Sequence, residues 1–292
     1  MASLKEVKTR IGSVVSTQQI TKAMKMVAAA KLRKSQERII QMRPFAQKMK
    51  SILQNLSASA NDTDGWYSKE RQVNKVLIVV ISSDRGLCGS FNSGVIKTVI
   101  RLTQENYGSQ MERKNVTILP IGKKAFEFFT KKGYPVNADF SNLFHGISFE
   151  KVSEAAQYMM DSFRKADYDK IVVVYNQFKN VATQILMTEQ FLPVQPQAGG
   201  KKTSDTDYIY QPNLEEILTG LIPKSLKVQL YKAVLDSNAS ENGARMTAMD
   251  KATENAGELL KDLRLTYNRT RQAAITKEIL EIVGGAEALK AG

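Results

Sequence analysis

The glycine-rich segment SSDRGLCGSFN, residues 82–92, follows the most apolar run of the chain and is the first place to look for chemistry. A glycine-rich turn from strand to helix can bind phosphate through backbone N–H groups. However, the segment lacks the Walker A pattern G-x-x-x-x-G-K-[ST], and Gly86, Gly89 and Gly94 do not form G-x-G-x-x-G. A thiol phosphatase would require an arginine six residues after Cys88, where this chain has Gly94. The segment therefore predicts a tight turn with Cys88 as a small buried side chain, and a nucleotide site or a cysteine nucleophile is the weaker alternative.

The rest of the sequence offers few catalytic groups. Cys88 is the only cysteine and His145 the only histidine, which excludes an intramolecular disulfide and a cage of several cysteines around a metal. No spacing in the sequence pairs two acidic residues for acid–base catalysis. We therefore expect no catalytic residue, no cofactor and no metal site, and we assign His145 to a surface or loop-packing role.

Positive charge is concentrated at the beginning of the chain. The formal net charge is +13, and residues 1–56 contain 12 basic and 2 acidic side chains. Such a segment favours an acidic partner, which could be nucleic acid, an anionic membrane surface or an acidic protein. Phe45 is the only aromatic residue before Trp66, so the stacking groups typical of single-strand binding are missing. An acidic protein fits at least as well as nucleic acid.

The positive segment belongs to a very long predicted helix over residues 3–57. Ser3 with Glu6 forms a capping box, and apolar residues recur at alternating spacings of three and four. We expect Pro44 to kink this helix or end one of its turns. Its predicted length, roughly 80 Å, is too great for an ordinary core helix. The predicted apolar seam consists of Leu4, Val7, Ile11 and Val14, followed by Ile39, Met42, Ala46, Met49, Leu53 and Leu56.

A second long helix is predicted in the last third of the chain. Asn213 with Glu216 gives a capping signal, Pro223 suits a first helical turn, and no proline follows up to Val283. We expect this helix to pair antiparallel with the first one, so that each buries the other's seam. Its predicted seam consists of Met249, Ala252, Ala256, Leu259 and Leu263, followed after a register shift by Ile275, Ile279, Ile282, Ala286 and Leu289.

Between the two helices the sequence predicts an α/β domain with a mostly parallel, Rossmann-like sheet. Short β-branched runs at 76–82, 116–121 and 171–175 alternate with segments of helical periodicity at 92–106, 122–132 and 149–165. Residues 181–192 are expected to add a strand at one edge, and 195–207 to form an exposed loop. The predicted domains are therefore 1–60, 73–195 and 208–292. The longest apolar run is too short to cross a bilayer, and the first thirty residues lack the apolar core of a secretory signal, so we expect a soluble, intracellular protein.

Four segments together resemble one known family over essentially the whole chain. They are ITKAMKMVAAAKLRKSQER at 20–38, SSDRGLCGSFN at 82–92, SENGARMTAMDKATENA at 240–256 and LTYNRTRQAAITKEILEIVGGAEAL at 265–289. By these segments the chain resembles the gamma subunits of F-type ATP synthases, which form the central rotor shaft.

The resemblance implies a function and a set of partners. In this family the terminal helices form an antiparallel coiled coil inside a ring of three alpha and three beta subunits. The α/β domain lies at the foot, against the epsilon subunit and the membrane c-ring. Proton flow turns the shaft, which drives ATP synthesis, or ATP hydrolysis in reverse, at the catalytic head. The gamma subunit itself is non-catalytic and peripheral to the membrane.

The resemblance also implies contact residues and a location. Contacts with the beta subunit are expected at Met24, Lys25, Lys31, Arg33, Arg271, Gln272 and Thr276, and contacts at the foot and with epsilon at Asp84, Arg85, Cys88 and Tyr208. The redox cysteine pair of chloroplast members is absent, and Gln211 stands where some bacterial members have glutamate. No mitochondrial presequence precedes Met1, so we expect the cytoplasmic face of a bacterial inner membrane rather than the mitochondrial matrix side. The alternatives are a basic coiled-coil nucleic-acid-binding protein and an enzyme that uses the turn around Cys88.

Overall fold

The computed structural model describes residues 3–59, 67–194 and 214–291 and divides the chain into two compact units. The helix-pair unit contains Met1–Val27 and Met246–Gly292, and the α/β unit contains Ala28–Arg245. In chain order the elements are α1 (Leu4–Ser59), β1 (Val76–Ile81), α2 (Phe91–Asn106), α3 (Gly108–Glu112), β2 (Val116–Ile121), α4 (Lys123–Lys131), α5 (Phe149–Arg164), β3 (Lys170–Phe178), β4 (Gln184–Leu192) and α6 (Leu214–Ala291).

The α/β unit is built on one four-stranded sheet with the order β2-β1-β3-β4. β1 is parallel to both β2 and β3, whereas β4 is an antiparallel edge strand on β3. Every residue of β1 is buried, as expected for a central strand of branched apolar residues that is covered on both faces. The predicted fold class, a mostly parallel α/β domain with long N- and C-terminal helices, is confirmed.

Helices cover both faces of this sheet, and successive side chains of each strand pack alternately on one face and on the other. Leu77, Val79 and Ile81 pack on one face in a core shared with α5 and with the 226–234 part of α6. Val76, Ile78 and Val80 pack on the other face with α2 and α4. The two cores fix the end of β1, and therefore the position of the turn that follows it.

In the helix-pair unit, α1 and α6 run antiparallel. Gln18 Nε2 donates to the carbonyl oxygen of Thr253 at 3.4 Å, and Thr253 Oγ1 donates to Thr21 Oγ1 at 2.8 Å. Lys25, farther along α1, pairs with Asp250, which lies earlier in α6. The predicted antiparallel pairing is thus confirmed for this part of the two helices.

The seam of α6 differs from the predicted one at Leu259. Leu260 is buried and Leu259 is 40% exposed. Met249, Ala256 and Leu263 are buried as predicted, and Leu260 lies four residues after Ala256 on the same helical face. Leu259 is rotated about 100° away from that face, since a helix turns once every 3.6 residues.

The predicted continuation of the seam beyond residue 270 is wrong for this chain. From residue 271 to residue 287 every described residue of α6 is exposed, including Ile275, Ile279 and Ile282. The reason is geometric: α1 begins at Leu4, so its described residues end before they could cover this part of α6. We call residues 246–263 the paired stretch and residues 271–287 the exposed stretch. Leu289, like Leu53 and Leu56, lies outside the described side chains.

Both prolines of the long helices lie inside them. α1 continues through Pro44, so this residue does not end the helix. We had expected Pro223 in the first turn of its helix. α6 begins at Leu214, so Pro223 lies well after that turn. Asn213, the predicted capping residue, lies outside the described residues. Among the described helices none combines the length and the apolar character needed to cross a bilayer.

Candidate functional site

The turn after β1 is held by hydrogen bonds around Cys88. Ser83 Oγ donates to the carbonyl oxygen of Arg85 at 2.6 Å, and Asn92 Nδ2 lies 3.3 Å from Cys88 Sγ. Cys88 is 2% exposed, and burial raises the pKa of its thiol, although hydrogen bonding from Ser83 and the charge of Arg245 act in the opposite direction. A buried thiol held in its neutral form is a poor nucleophile. Cys88 is therefore a small buried side chain of the turn, as the sequence predicted.

The beginning of the turn also caps α4, a role that the sequence analysis missed. The backbone N–H groups of Lys123 and Ala125 donate to Asp84 Oδ1 at 3.1 Å and to Ser82 Oγ at 3.0 Å. The N–H of Lys124 donates to the carbonyl oxygen of Ser83 at 3.1 Å. The N–H groups of a helix N-terminus can bind phosphate when they have no partner within the protein. In α4 these three N–H groups already donate to the turn after β1.

Gly122 makes this capping arrangement possible. Its φ is +109°, and a Cβ atom at this position would lie 2.2 Å from the carbonyl oxygen of Ser82. Only glycine fits such a close approach. One signal in the sequence could have indicated this cap. The residue before α4 is Gly122, which has no side chain to cap the helix, so the capping groups must come from another segment.

The far end of the turn is bound by Arg245 of α6. Arg245 Nη2 donates to the carbonyl oxygens of Arg85 and Gly86 at 3.1 and 3.4 Å, and its Nη1 pairs with Glu241 Oε1 at 2.7 Å. Burial raises the pKa of Glu241, as does Asp84, whereas Arg245 and Lys31 lower it. We call Glu241 and Arg245 the α6 clamp. The contacts of Arg245 with the turn join residues about 160 positions apart, so no local pattern could have indicated them.

Of the residues predicted to contact partners at the foot, Asp84 also lies close to a titratable side chain, and Tyr208 cannot be placed. The Asp84 carboxylate, besides capping α4, lies 3.7 Å from His145 Nε2. His145 is mostly exposed, in keeping with a surface role, while Arg85 is exposed and Asp84 only partly so. Tyr208 lies outside the described residues. Of the predicted foot contacts, Asp84 and Cys88 are thus engaged within the chain.

The predicted cationic contacts on α1 differ in their surroundings. In the helix-pair unit Lys25 pairs with Asp250, and Met24 is half-buried. In the α/β unit Arg33 Nε lies 3.2 Å from Glu37 Oε1, one helical turn farther along α1. Lys31 is exposed. Asp250 was not among the predicted site residues, since nothing in the local sequence indicates its cross-helix partner.

Three further predicted contacts lie together on the exposed stretch of α6. Arg271, Gln272 and Thr276 are all solvent-exposed, and Thr276 Oγ1 donates to the carbonyl oxygen of Gln272 at 2.9 Å within the helix. Nothing in the described part of the chain covers them. Within the described residues there is also no group of three or more histidine, cysteine or acidic side chains placed to hold a metal ion.

Comparison with known proteins identifies the family. The model of the ATP synthase family matches residues 3–289. An ATP synthase gamma chain from Cytophaga hutchinsonii is 56% identical over 293 residues, with 99% of each chain covered. Another from Flavobacterium psychrophilum is 54% identical, covering 99% of this chain and all of the relative. The chain belongs to the ATP synthase gamma family.

Solved structures agree with this assignment. The central stalk of the Tetrahymena thermophila mitochondrial ATP synthase, solved with its c-ring, is 27% identical and has a TM-score of 0.56, covering 80% of this chain and 99% of that one. A chain of the Euglena gracilis mitochondrial ATP synthase shares the fold with a TM-score of 0.67 at 23% identity, covering 99% of this chain and 95% of that chain.

Membership of the gamma family confirms the predicted function at the level of the complex. The chain is a central-stalk subunit of an F-type ATP synthase, a non-catalytic part of that enzyme. The relatives described above with the highest identity are bacterial, as the sequence analysis expected. The nucleic-acid-binding alternative finds no support in these comparisons.

Proposed function

We propose that this chain is the rotor that couples proton flow through a membrane c-ring to ATP synthesis, or hydrolysis, in a head of three alpha and three beta subunits. The epsilon subunit joins it at the foot, and the complex works at the cytoplasmic face of a bacterial inner membrane. The chain itself remains peripheral to that membrane. Its domains in this role are 1–60, 73–195 and 208–292.

The observation that carries the proposal is the exposed stretch of α6. Its seventeen residues continue an apolar repeat for about 25 Å with no covering element in the described chain. Ile275, Ile279 and Ile282 are each about half exposed or more. Exposed apolar rows of this kind indicate a surface that other chains cover. In a gamma-family chain the subunits of the head are the natural cover, and Arg271, Gln272 and Thr276 flank the row.

The charges of α1 support contacts of a different kind. Lys31 and Arg33 are exposed, and exposed ion pairs are weak and screened by salt. Contacts of that strength can form and break as a shaft turns within a ring. Acidic segments of the beta subunits are therefore the proposed partners of Met24, Lys25, Lys31 and Arg33. Asp84, Arg85, Cys88 and Tyr208 are proposed for the foot and for the contact with epsilon.

Composition of the complex is the first test. The tagged chain, purified gently from its source, should appear by native mass determination as one copy with three copies each of two larger nucleotide-binding subunits, and with ATPase activity. Recovery of a lone chain, or of nucleic acid, would contradict the proposal.

Charge reversal then tests the coupling role. Inverted membrane vesicles containing Lys31→Glu should show less ATP-driven proton uptake per ATP hydrolysed than the wild type. Lys34→Glu is the matched control, since it makes the same change three residues away at another exposed lysine. Equal proton uptake per ATP in all three would contradict the electrostatic part of the proposal.

Lys25 needs a sharper design because it already pairs with Asp250. Lys25→Glu removes both this pair and any contact with an acidic partner. The exchange Lys25→Asp with Asp250→Lys keeps an opposite-charge pair between the two helices but reverses its direction. If Lys25 acts on a partner, both variants should show less proton uptake per ATP hydrolysed than the wild type. Wild-type proton uptake in the exchange variant would show that only the internal pair matters.

A further inference from the structure

The buried face of α1 contains polar residues among its apolar ones. Its seam positions run from Val7 to Ile39 with alternating spacings of four and three, as in a regular coiled coil. The predicted apolar seam skipped the middle of this run, where four positions have polar side chains. Thr21 and Ser35 are only 8% and 6% exposed, so their hydroxyl groups lie inside the seam. The four polar residues are Gln18, Thr21, Lys25 and Ser35.

Two of these residues meet at Thr253 of the paired stretch. The hydroxyl oxygens of Thr21 and Thr253 lie 2.8 Å apart, and Gln18 Nε2 donates to the carbonyl oxygen of Thr253 at 3.4 Å. Both hydroxyl groups are also within hydrogen-bonding distance of a carbonyl oxygen in the preceding turn of their own helix. All three side chains are partly or fully buried. We call Gln18, Thr21 and Thr253 the polar seam group.

The other two polar residues of the seam are bonded to α6 as well. In the α/β unit Ser35 Oγ donates to Asn238 Oδ1 at 2.5 Å. In the helix-pair unit Lys25 pairs with Asp250, but these side chains are 40% and 44% exposed, so water screens their attraction. Each of the four polar seam residues of α1 therefore has a partner on α6, and the buried ones are paired by hydrogen bonds.

Gly257 restricts where Gln18 fits along α6. A Cβ atom at this position would lie 3.2 Å from Gln18 Nε2, closer than most Cβ contacts, so the amide occupies the space that the missing side chain leaves. Gly257 is the only glycine of the paired stretch. After an axial shift the same amide would meet a residue with a side chain. Gly257 and the carbonyl oxygen of Thr253 thus define one axial position for Gln18.

The apolar residues of the paired stretch are less selective. Apolar burial has no preferred direction and depends mainly on area, so axial positions that bury similar areas have similar free energies. Hydrogen bonds are directional, and a buried polar group left without its partner costs free energy. A shifted register would separate Thr21 from Thr253 and leave both hydroxyl groups among apolar residues. The polar seam group therefore favours one register over its neighbours.

We infer that the polar seam group sets the axial register of α1 against α6 in the helix-pair unit, and that its members are positioning residues of the rotor. Buried polar residues in coiled coils specify register at some cost in stability. The role in the rotor rests on the proposed function. Met24 on α1 and Arg271 on α6 are proposed head contacts on different helices, so the register determines the distance between them.

Distance measurements on the spin-labelled full chain test the register. Labels on cysteines introduced at the exposed residues Thr9 and Lys251 lie about 20 Å apart along the helix axes, so an axial shift changes their separation directly. The natural cysteine is buried and should not react. The apolar variant Gln18→Leu with Thr21→Val and Thr253→Val should add a population displaced by about 5 Å, one helical turn, to the single wild-type distance. A single wild-type distance in this variant would overturn the inference.

Further variants separate register from stability. Thr21→Ser with Thr253→Ser keeps both hydroxyl groups and should keep the single distance. Thr103→Val removes another buried hydroxyl, which donates to the carbonyl oxygen of Ile100 in its own helix, and should leave the distance unchanged. The apolar variant should unfold at or above the wild-type temperature, because apolar residues replace a buried polar group. A lower unfolding temperature with an unchanged distance would mean that the group only stabilises the chain.

Coupling in the assembled complex tests the consequence for the rotor. In inverted membrane vesicles the apolar variant should take up at least about threefold fewer protons per ATP hydrolysed than the wild type. The double serine variant and Thr103→Val should both equal the wild type. A displaced register with wild-type proton uptake would contradict the positioning role.

The inference and the proposed function fail differently. A wild-type chain that purifies without any ATP synthase subunit contradicts the proposed function, while the label distances still decide the register. A complex that assembles and couples normally with the apolar variant in place contradicts the inference alone.

Discussion

The paired and the exposed stretches of α6 have similar apolar repeats and opposite burial. In the paired stretch Met249, Ala256 and Leu263 are buried against α1, whereas Ile279 and Ile282 of the exposed stretch are 54% and 71% exposed. Both stretches belong to one continuous helix and one compact unit. Local sequence therefore does not decide the difference. The starting point of α1 decides it, because a helix can bury its seam only where a partner lies beside it.

This comparison shows what an apolar repeat means in a shaft-like protein. The repeat marks the face that will be covered, and the length of the neighbouring helix decides whether this chain or another one covers it. In the proposed function the paired stretch stabilises the chain, and the exposed stretch works against the head. Substitutions at equivalent positions of the two stretches should accordingly affect different measurements.

The largest difference between the two stretches is expected in the free energy of unfolding when one apolar side chain of each is truncated. Leu263→Ala should lower the free energy of unfolding of the isolated chain by about 2 to 3 kcal/mol, because it removes buried methyl groups and leaves a cavity. Ile282→Ala should change it by less than about 0.5 kcal/mol, since the side chain is already in water. Denaturant titration of both variants measures this, and similar losses would contradict the assignment of the two stretches.

The reverse effect is expected in the assembled complex. The double variant Ile275→Ser with Ile279→Ser should weaken the association of the chain with the head by roughly tenfold, or about 1.4 kcal/mol, because less apolar area is buried. The same variant should unfold like the wild type when it is isolated. Unchanged association, measured by dissociation from the purified complex, would mean that the head does not cover this face.

A pair of glycines sharpens the comparison further. At Gly284 an added Cβ meets nothing within 4 Å, so Gly284→Ala should stabilise the helix by up to about 1 kcal/mol. At Gly257 the added Cβ would lie 3.2 Å from Gln18 Nε2, so part of the same gain should be lost to crowding. Thermal unfolding monitored by circular dichroism should rank Gly284→Ala above Gly257→Ala. The opposite order would contradict the close packing of the paired stretch.

A smaller effect is expected from the cross-helix ion pair. The side chains of Lys25 and Asp250 are 40% and 44% exposed, so solvent screens their attraction. A double-mutant cycle with Lys25→Ala and Asp250→Ala should give a coupling energy of about 0.5 kcal/mol that decreases with added salt. A coupling several times larger would show that this pair, rather than the apolar seam, aligns the paired stretch.

The smallest expected effect is a pH dependence of stability that arises from Glu241, in the part of α6 that packs in the α/β unit. Burial raises the pKa of Glu241 above its ordinary value of 4.5. A raised pKa in the folded state means that this group's contribution to stability is complete below pH 4.5 and is lost as the pH rises through the folded-state pKa. The unfolding free energy of Glu241→Gln relative to the wild type should therefore increase with pH above this point. A difference that falls with pH would contradict the effect of burial.

The regular elements could be predicted because their signals are local. The β-branched runs of β1, β2 and β3 are intrinsic to short segments, and their alternation with helices implies a parallel sheet. The seam of α6 was predicted one position off at Leu259, because alanine-rich helices offer several plausible apolar registers. The position of Pro223 inside α6 also escaped prediction, since proline is far more typical of a first helical turn than of a helix interior.

The site contacts could be predicted only in part because they join distant segments. The turn and its buried Cys88 follow from the glycines and the preceding strand. The capping of α4 by Ser82 and Asp84, and the α6 clamp, depend on the packing of three elements against each other. The resemblance placed Asp84 and Cys88 at a partner surface. The structure shows that both also make contacts within the chain, and their role at that surface stays a prediction.

Rotation of the chain within its complex is the most direct test of the account. The complex is fixed by its head, and a gold rod is attached to a cysteine introduced at Lys131, which is exposed at the end of α4. Cys88 is buried and should not react. With ATP present, the rod should turn continuously in one direction at a rate that follows ATP hydrolysis. Hydrolysis at the normal rate with a stationary rod would contradict the proposal that this chain is the rotor.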